Sequence, residues 1–523
     1  MSSPGKVLAR PPEEVSSSSR AAPAASGAER DAWINRNRYY HREVENICRR
    51  FVPSHSRVLV IGSQTGNLLS ALDVDPATSV AVDSAEHLVE HSRKKYPKYR
   101  FEHGQPDDLG PLLGNVPPFD YVVLPDVIGA LDDLQRAFTD VRAYCHQQTT
   151  LVLTYYNFLW EPILGLGEKL GMKMPQPDQN WLSMTDIASI LRLSEFCVNA
   201  ADTALLIPVR IPLGDGINRF AAHNRFLRHL CLVQFFVATY QPPDAMQVAR
   251  RQALTVSVVV PCRNEVGNIE AAVRRIPEIG RHTEVIFIDG ESTDGTVEKI
   301  EEMIAANSGP LDVKLMHQVP PTSNQVTGER PHRMLKLGKG DAVRKAFAAA
   351  NGDVLMILDA DLTVPPEDLP KFFFPIADGL IDFANGCRLV YPMQDEAMRF
   401  VNLVGNRFFG AAFSWLLGQP IKDTLCGTKA ILKKDYEAIV ANRSYFGDFD
   451  PFGDFDLLFG AARQRLRIGD IPIRYRRRVA GLSKVSVLRH GILLIRMTLI
   501  GFIRLKLQVW LRLSQQDAPR PPA

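Results

Sequence analysis

The stretch Val354-Leu355-Met356-Ile357-Leu358-Asp359-Ala360-Asp361-Leu362 runs an apolar segment straight into two carboxylates spaced i, i+2. Such a run predicts a buried strand, and at its end that spacing can aim both acids at one cation. A hard divalent ion such as Mg²⁺ or Mn²⁺ takes oxygen ligands, often only one or two from protein, and the rest from phosphate and water. The expected ligand is therefore a metal-bound diphosphate. Asp-x-Asp alone is common and ordinarily marks a solvated strand end, so the flanking sequence decides.

Upstream, Ser257-Val258-Val259-Val260-Pro261-Cys262-Arg263-Asn264-Glu265 is a β-branched run stopped by proline. A helix is expected over Asn268 to Arg275, with its N-terminus beside the strand's carboxyl end, where open α/β sheets bind ligands. Val285-Ile286-Phe287-Ile288-Asp289-Gly290 is a second strand ending on an acid, followed by the turn Glu291-Ser292-Thr293-Asp294-Gly295-Thr296. Gly338-Lys339-Gly340-Asp341-Ala342-Val343-Arg344 opens a helix ending near Asn351-Gly352. Free N–H groups at a helix start, with a lysine beside them, suit an anionic phosphate. The order is that of a nucleotide-diphosphate site.

From about Leu254 to about Arg478 the chain resembles the family-2 glycosyltransferases of the GT-A fold, in the branch that makes polyprenyl-phosphate (dolichyl-phosphate) hexoses. The resemblance implies that Pro261, Asn264 and Glu265 line the nucleotide pocket and that Asp289 contacts the base. It sets Lys339 and Arg344 near the phosphates, and Asp359 and Asp361 on the metal. Asp423-Thr424-Leu425-Cys426-Gly427-Thr428-Lys429 resembles the segment before the acceptor site, and Phe452-Gly453-Asp454-Phe455-Asp456 the family's Phe-Asp-x-Glu element. Asp454 then falls on the catalytic aspartate, and Asp456 replaces the Glu on the acceptor side. Arg388 falls on an arginine that binds the acceptor phosphate, with Arg399 and Arg407 as candidates for a second; arginines on such a helix are also ordinary solvated residues.

Inverting transfer is a single displacement at the anomeric carbon, with charge building on the departing diphosphate. The metal with Asp361, Lys339 and nearby N–H groups would stabilise that charge. A polyprenyl phosphate acceptor is already ionised and needs no base; a hydroxyl acceptor does, and Asp454 is the candidate.

The transferase fills only the second half of 523 residues. In the first half, Arg57-Val58-Leu59-Val60-Ile61-Gly62-Ser63-Gln64-Thr65-Gly66-Asn67-Leu68-Leu69 reads as strand, glycine turn and helix start. Ser79-Val80-Ala81-Val82-Asp83 ends on an acid placed for ribose hydroxyls, and Phe119 to Leu124 leads to Pro125-Asp126. From about Trp33 to about Thr239 this resembles a class I S-adenosylmethionine-dependent methyltransferase. That implies Gly62, Gly66, Asp83 and Asp126 as cofactor contacts. Two departures stand out: Val60 where an acid is usual, and Gln64 in place of the loop's middle glycine. An active methyltransferase and a degenerate module kept for packing or regulation are both open. Tyr155, Tyr156 and Asn157, after a fifth strand expected over Thr150 to Thr154, face a substrate or simply pack.

The two halves together resemble a group of bacterial proteins that fuse these domains. The expected fold class is α/β with two Rossmann-like domains: a tail over 1–30, the methyltransferase-like domain over 33–240, a linker over 241–252 and the transferase over 253–480. A basic amphipathic segment over 481–513 and a tail over 514–523 complete it. Val479 to Lys484 departs from the Tyr-Gly-x-Thr pattern of related proteins.

The first thirty residues, rich in Ser, Ala, Pro and Gly, predict disorder and lack a signal peptide's apolar core. Seven cysteines (Cys48, Cys145, Cys197, Cys231, Cys262, Cys387 and Cys426) stand without a Cys-x-x-Cys pair, which suggests neither zinc nor a disulfide framework and fits a reducing cytosol. From Arg463 to Arg512 thirteen basic residues face one acid, Asp470. The apolar run Ile492 to Leu505 within it is too short and too interrupted to span a bilayer. It fits a basic helix lying on anionic headgroups at the cytoplasmic face, or one packed on the transferase with its arginines in water. No motif for nucleic acid accompanies the charge. The sequence therefore points to transfer of a hexose from a UDP- or GDP-sugar to a polyprenyl phosphate. A hydroxyl acceptor and a non-catalytic nucleotide-binding scaffold are the other readings.

Overall fold

Runs of consecutive β-branched residues imply strands buried on both faces, and the chain uses them to build two seven-stranded sheets. The computed structural model describes residues 25–176, 179–319, 338–391, 400–442, 453–476, 478 and 495–507; at 400–408 and 454 it describes the backbone alone. Contacts divide the chain into two compact units. One holds Met1–Ala130, Leu151–Gln179 and Ala201–Phe236; the other holds Leu131–Thr150, Asn180–Ala200 and Val237–Ala523.

The first sheet comprises β1 (Val58–Ile61), β2 (Val80–Asp83), β3 (Arg100–His103), β4 (Phe119–Pro125), β5 (Cys145–Tyr156), β6 (Phe196–Ala204) and β7 (Val233–Tyr240). Its order is β3-β2-β1-β4-β5-β7-β6, with β1 parallel to both β2 and β4. The second comprises β8 (Val256–Cys262), β9 (Thr283–Asp289), β10 (Asp312–His317), β11 (Val354–Ile357), β12 (Phe383–Cys387), β13 (Lys429–Leu432) and β14 (Ile468–Pro472). Its order is β10-β9-β8-β11-β13-β12-β14. Strands β8 to β11 are mutually parallel where they pair, whereas β13 runs antiparallel to both β11 and β12. The architecture is α/β with two Rossmann-like sheets.

Alternation along the strands explains the unbroken apolar runs. Val258 and Val260 face a core shared with Ile269, Ile300 and Phe372, while Val259 faces another with Val343, Phe347 and Phe413. Helices therefore cover both faces of the second sheet. The helix expected from Asn268 starts earlier, at Val266. The segment expected to link the domains contains a helix, Ala245–Ala253, started by a capping box between Asp244 and Gln247.

A buried carboxylate ties the far edge together. Glu284 of β9 accepts hydrogen bonds from Ser257 Oγ (2.5 Å), the Asn351 backbone N–H (3.0 Å) and Lys314 Nζ (2.6 Å). Burial alone would raise its pKa, but those donors bring it down to about 2. A depressed folded pKa gives stability present above the unfolded value and lost as pH falls toward the folded one. Glu284→Gln should lower unfolding free energy by about 2 kcal/mol at pH 7. In denaturant titrations the gap between variant and parent should close between the ordinary Glu range and pH 2; a constant gap would contradict this origin.

Candidate active site

Three parallel strands of the second unit end at one rim. Cys262 of β8 pairs with Asp289 of β9, and Val259 with Ile357 of β11, so Asn264, Asp289 and Asp359 all follow adjacent strand ends. The first two shape the rim's loops. Asn264, at φ +55°, accepts from the Thr293 N–H (2.8 Å), and Asp289 accepts from the N–H groups of Glu291 (3.0 Å) and Ser292 (3.2 Å). Glu265 accepts from Asn268 Nδ2 (2.8 Å), and Pro261 remains partly exposed on β8.

Lys339, the first residue of the helix Lys339–Ala349, places its ammonium on Asp359. The Asp359 side chain is 29 % exposed. Burial pushes its pKa up, but Lys339, then Lys429 and Arg388, hold it below the usual carboxylate range. Asp361 accepts from Thr363 Oγ1 (2.8 Å) through one oxygen and meets Arg478 Nη2 (2.9 Å) through the other. Arg344 lies on the same helix as Lys339 and contributes to the field at Asp341. The structure brings Lys339 and Asp359 into contact, while Asp361 pairs with Arg478. Arg478 was legible only as one charge in a basic run.

Gly427 makes the cluster possible. A Cβ there would stand 2.2 Å from both Asp359 Oδ2 and Lys339 Nζ. Next to it, buried Lys429 donates to Asn385 Oδ1 (3.1 Å) and to the Cys426 carbonyl, directly across from Ile357. Asn385 Nδ2 in turn donates to Asp470 Oδ1 (2.7 Å), whose pKa burial raises to about 7. Arg388 is committed to Asp423: its backbone N–H, Nε and Nη2 all donate to that carboxylate (3.1, 2.6 and 2.9 Å). Its guanidinium also lies 5.4 Å from the Tyr475 ring centroid.

Gly453, at φ +79°, caps the helix Asp454–Arg463, and a Cβ on it would stand 2.8 Å from the Gly340 Cα. That contact brings the backbone of Asp454 beside the start of the Lys339 helix. Asp456 is buried on the same helix. Arg399 lies outside the described residues, as do the side chains of Arg407 and Asp454. Among the described residues no group of three or more His, Cys, Asp or Glu is arranged around one point. Asp359 and Asp361 nonetheless fit a divalent cation that takes its other ligands from diphosphate and water: both are acids whose present counter-charges sit on long, movable side chains.

In the first unit, Gly62, Gln64 and Gly66 adopt positive φ (79°, 51° and 75°) in the loop after β1. Asp83 has both oxygens engaged, by the N–H groups of Gln64 (2.7 Å) and Ala85 (3.0 Å). Arg30 reaches over the loop, its Nε 3.4 Å from Gln64 Oε1, and acts electrostatically on Asp83. Asp126 accepts from Tyr40 OH (2.7 Å) and Thr154 Oγ1 (3.0 Å), and burial raises its pKa. Tyr155 and Tyr156 are buried, and Tyr156 stacks on Tyr40 at 5.7 Å. The cavity bounded by Ile34, His41, Gly62, Gln64, Pro125 and Asp126 measures about 50 Å³, against roughly 300 Å³ or more for a small-molecule site. That cavity borders the loop after β1, and neither Asp83 nor Arg30 lines it. Gly427→Ala should displace the Lys339 ammonium from Asp359 with little loss of thermal stability, because only the ends of flexible side chains stand in the way; a fully retained Lys339–Asp359 contact in a structure of the variant would contradict this.

Residues 257–319 and 332–439 match the model of Glycosyl transferase family 2, and residues 59–151 match that of a Methyltransferase domain. The dolichol-phosphate mannosyltransferase of Pyrococcus furiosus is 31 % identical over 195 residues, covering 36 % of this chain and 49 % of that protein. The undecaprenyl-phosphate 4-deoxy-4-formamido-L-arabinose transferase of Pseudomonas aeruginosa strain LESB58 is 27 % identical over 243 residues, 45 % of this chain and 61 % of that one. The chain spans less than two thirds of the length of each. Among solved structures, a mycobacterial protein is similar at 22 % identity, with a TM-score of 0.36 over 51 % of this chain and 80 % of that one. An S-adenosylmethionine-dependent methyltransferase from Aquifex aeolicus is similar at 11 % identity, with a TM-score of 0.28 over 41 % and 98 %. One polypeptide therefore carries a stretch that matches a Methyltransferase domain, followed by one that matches Glycosyl transferase family 2.

Proposed function

We propose that this protein transfers a hexose from a UDP- or GDP-sugar to a polyprenyl phosphate, working at the cytoplasmic face of a membrane. The observation that carries the reading is the paired acids Asp359 and Asp361 at the strand rim, each matched to a cation, Lys339 and Arg478. The names of the relatives, which are transferases to dolichol and undecaprenyl phosphates, support the acceptor class.

Asp359 and Asp361 would hold Mg²⁺ or Mn²⁺, which when bound supplies positive charge to the donor diphosphate. With a cation on the acids, Lys339 and Arg478 would be available to the phosphate oxygens, where charge grows during displacement. Asn264 and Asp289 keep the nucleotide loops in place. Asp454 takes up a proton only if the acceptor is a hydroxyl. Arg388, held by Asp423, orients the acceptor side, with Asp456, Arg399 and Arg407 as its further candidates.

Membrane attachment is assigned to the C-terminal basic helix. Over residues 495–507, Ile495, Leu499, Phe502 and Ile503 are exposed beside Arg496, Arg504 and Lys506. Among the described residues no helix is long and apolar enough to cross a membrane. For the methyltransferase domain, the loop after β1 and Asp83 at the end of β2 would hold S-adenosylmethionine.

The test is release of nucleoside diphosphate from a panel of UDP- and GDP-sugars with Mg²⁺ or Mn²⁺, with and without a polyprenyl phosphate. Release should depend on the lipid and vanish in Asp361→Ala, while Arg478→Ala should lose about tenfold or more in kcat/KM, one charged contact's worth. Lipid-independent release would move the acceptor to a hydroxyl, with Asp454→Asn then inactive. Absence of both release and sugar-nucleotide binding would overturn the reading.

A further inference from the structure

The connections after β5 and between β6 and β7, both in the first unit, carry apolar side chains that the protein leaves uncovered. The helix Glu161–Lys169 after β5 has no buried residue, although it holds Ile163 and Leu166, and Leu170 and Met172 follow it. A nine-residue helix is too short to persist on its own propensity and ordinarily depends on burying one face. Between β6 and β7, Leu213 is 86 % exposed, Phe220 64 % and Phe226 78 %. The helix Gly214–His223 that carries Phe220 buries only Gly214, Asn218 and Ala221.

The two connections form one surface. Trp160 Nε1 donates to the Leu230 carbonyl (2.8 Å), and Asn157 Nδ2 to the carbonyls of His229 (2.8 Å) and Cys231 (2.9 Å). Tyr39 OH bonds both Asp215 (2.6 Å) and Asn218 (3.0 Å), while Asn37 Nδ2 reaches the Met172 carbonyl (3.5 Å). The connection between β6 and β7 is also predominantly basic, while the helix after β5 carries Glu161 and Glu168 with Lys169. Residues 205–232 contain Arg210, Arg219, Arg225 and Arg228 against the single acid Asp215, and Arg210, Arg219 and Arg225 are exposed. Large apolar side chains interleaved with arginines match the boundary of an anionic bilayer, where rings and aliphatic chains enter the acyl region and guanidinium groups meet headgroup phosphates.

We propose that this face of the methyltransferase unit is a membrane-docking surface for anionic lipid, separate from the C-terminal basic helix. It rests neither on glycosyl transfer nor on the attachment assigned to that helix. Flotation of the full chain with phosphatidylcholine vesicles, with and without phosphatidylglycerol, tests it. Two variants carry the comparison: Leu213→Asp with Phe220→Asp and Phe226→Asp, and separately Ile495→Asp with Leu499→Asp. All five positions are solvent-exposed, so thermal stability should match the parent.

The first variant should lose about tenfold or more in its partition onto phosphatidylglycerol vesicles, from lost apolar insertion. Arg210→Glu with Arg219→Glu and Arg225→Glu should lose binding only on the anionic vesicles. Binding unchanged in both first-unit variants but lost in the C-terminal one would overturn this surface and leave the helix as the sole anchor. No vesicle binding by the parent, with self-association on sizing that the first variant abolishes, would overturn it in favour of contact between copies.

Discussion

Two carboxylates at the end of a buried strand cannot stand uncompensated. Withdrawing an ionised group even partly from water costs free energy, and Asp359 and Asp361, both half-buried, follow four strand residues that are all buried. Much of the second unit's rim answers this one constraint. The helix Lys339–Ala349 starts where its first side chain reaches Asp359, and Arg478 returns to Asp361 after the last strand. Buried Lys429 adds its field from beneath. Even the absence of a side chain at Gly427 belongs to this arrangement, since the acid and the lysine occupy the space a Cβ would need.

The two units solve a similar problem in opposite ways. In the second, the acids are neutralised by lysine and arginine, whose long side chains can exchange one anion for another. In the first, Asp83 is satisfied by the backbone N–H groups of Gln64 and Ala85, which move only if the loop moves. A charge compensated by side chains is ready for a ligand; one compensated by backbone already has its partners. Burial of Asp83 still raises its pKa, against the pull of those two N–H groups, because water has little access to it.

The alternating apolar strands and acid-ended loops were readable from residues 57–83 and 257–361 because each strand is local and bounded by Pro, Gly or Asp. Asp359, Asp361 and Lys339 were legible for the same reason: each sits at a strand end or helix start. Arg478 was not, because its partner lies more than a hundred residues upstream and nothing local separates it from the other arginines around it. Lys429 reads in sequence as a polar residue opening a strand; only the pairing with Ile357 reveals that it is buried. The helix Ala245–Ala253 was hidden behind Pro242-Pro243, although Asp244 and Gln247 spell its capping box. The bare face of Glu161–Lys169 was equally hidden, since its pattern is that of a helix with something to pack against.

The reversed strand β13 has a consequence of its own. Parallel strands deposit their carboxyl ends on one rim and must each be followed by a crossover to return. A strand running the other way is entered from that rim, so Lys429, its first residue, stands opposite Ile357, the last residue of β11. The loop before it, with Asp423 and Gly427, therefore arrives where the other strands depart. The two halves of the rim are anchored independently, one by exits and one by an entrance. Lengthening or shortening the chain between β12 and β13 would reshape the side facing Arg388 while the strand ends that lead to Asn264, Asp289 and Asp359 kept their register.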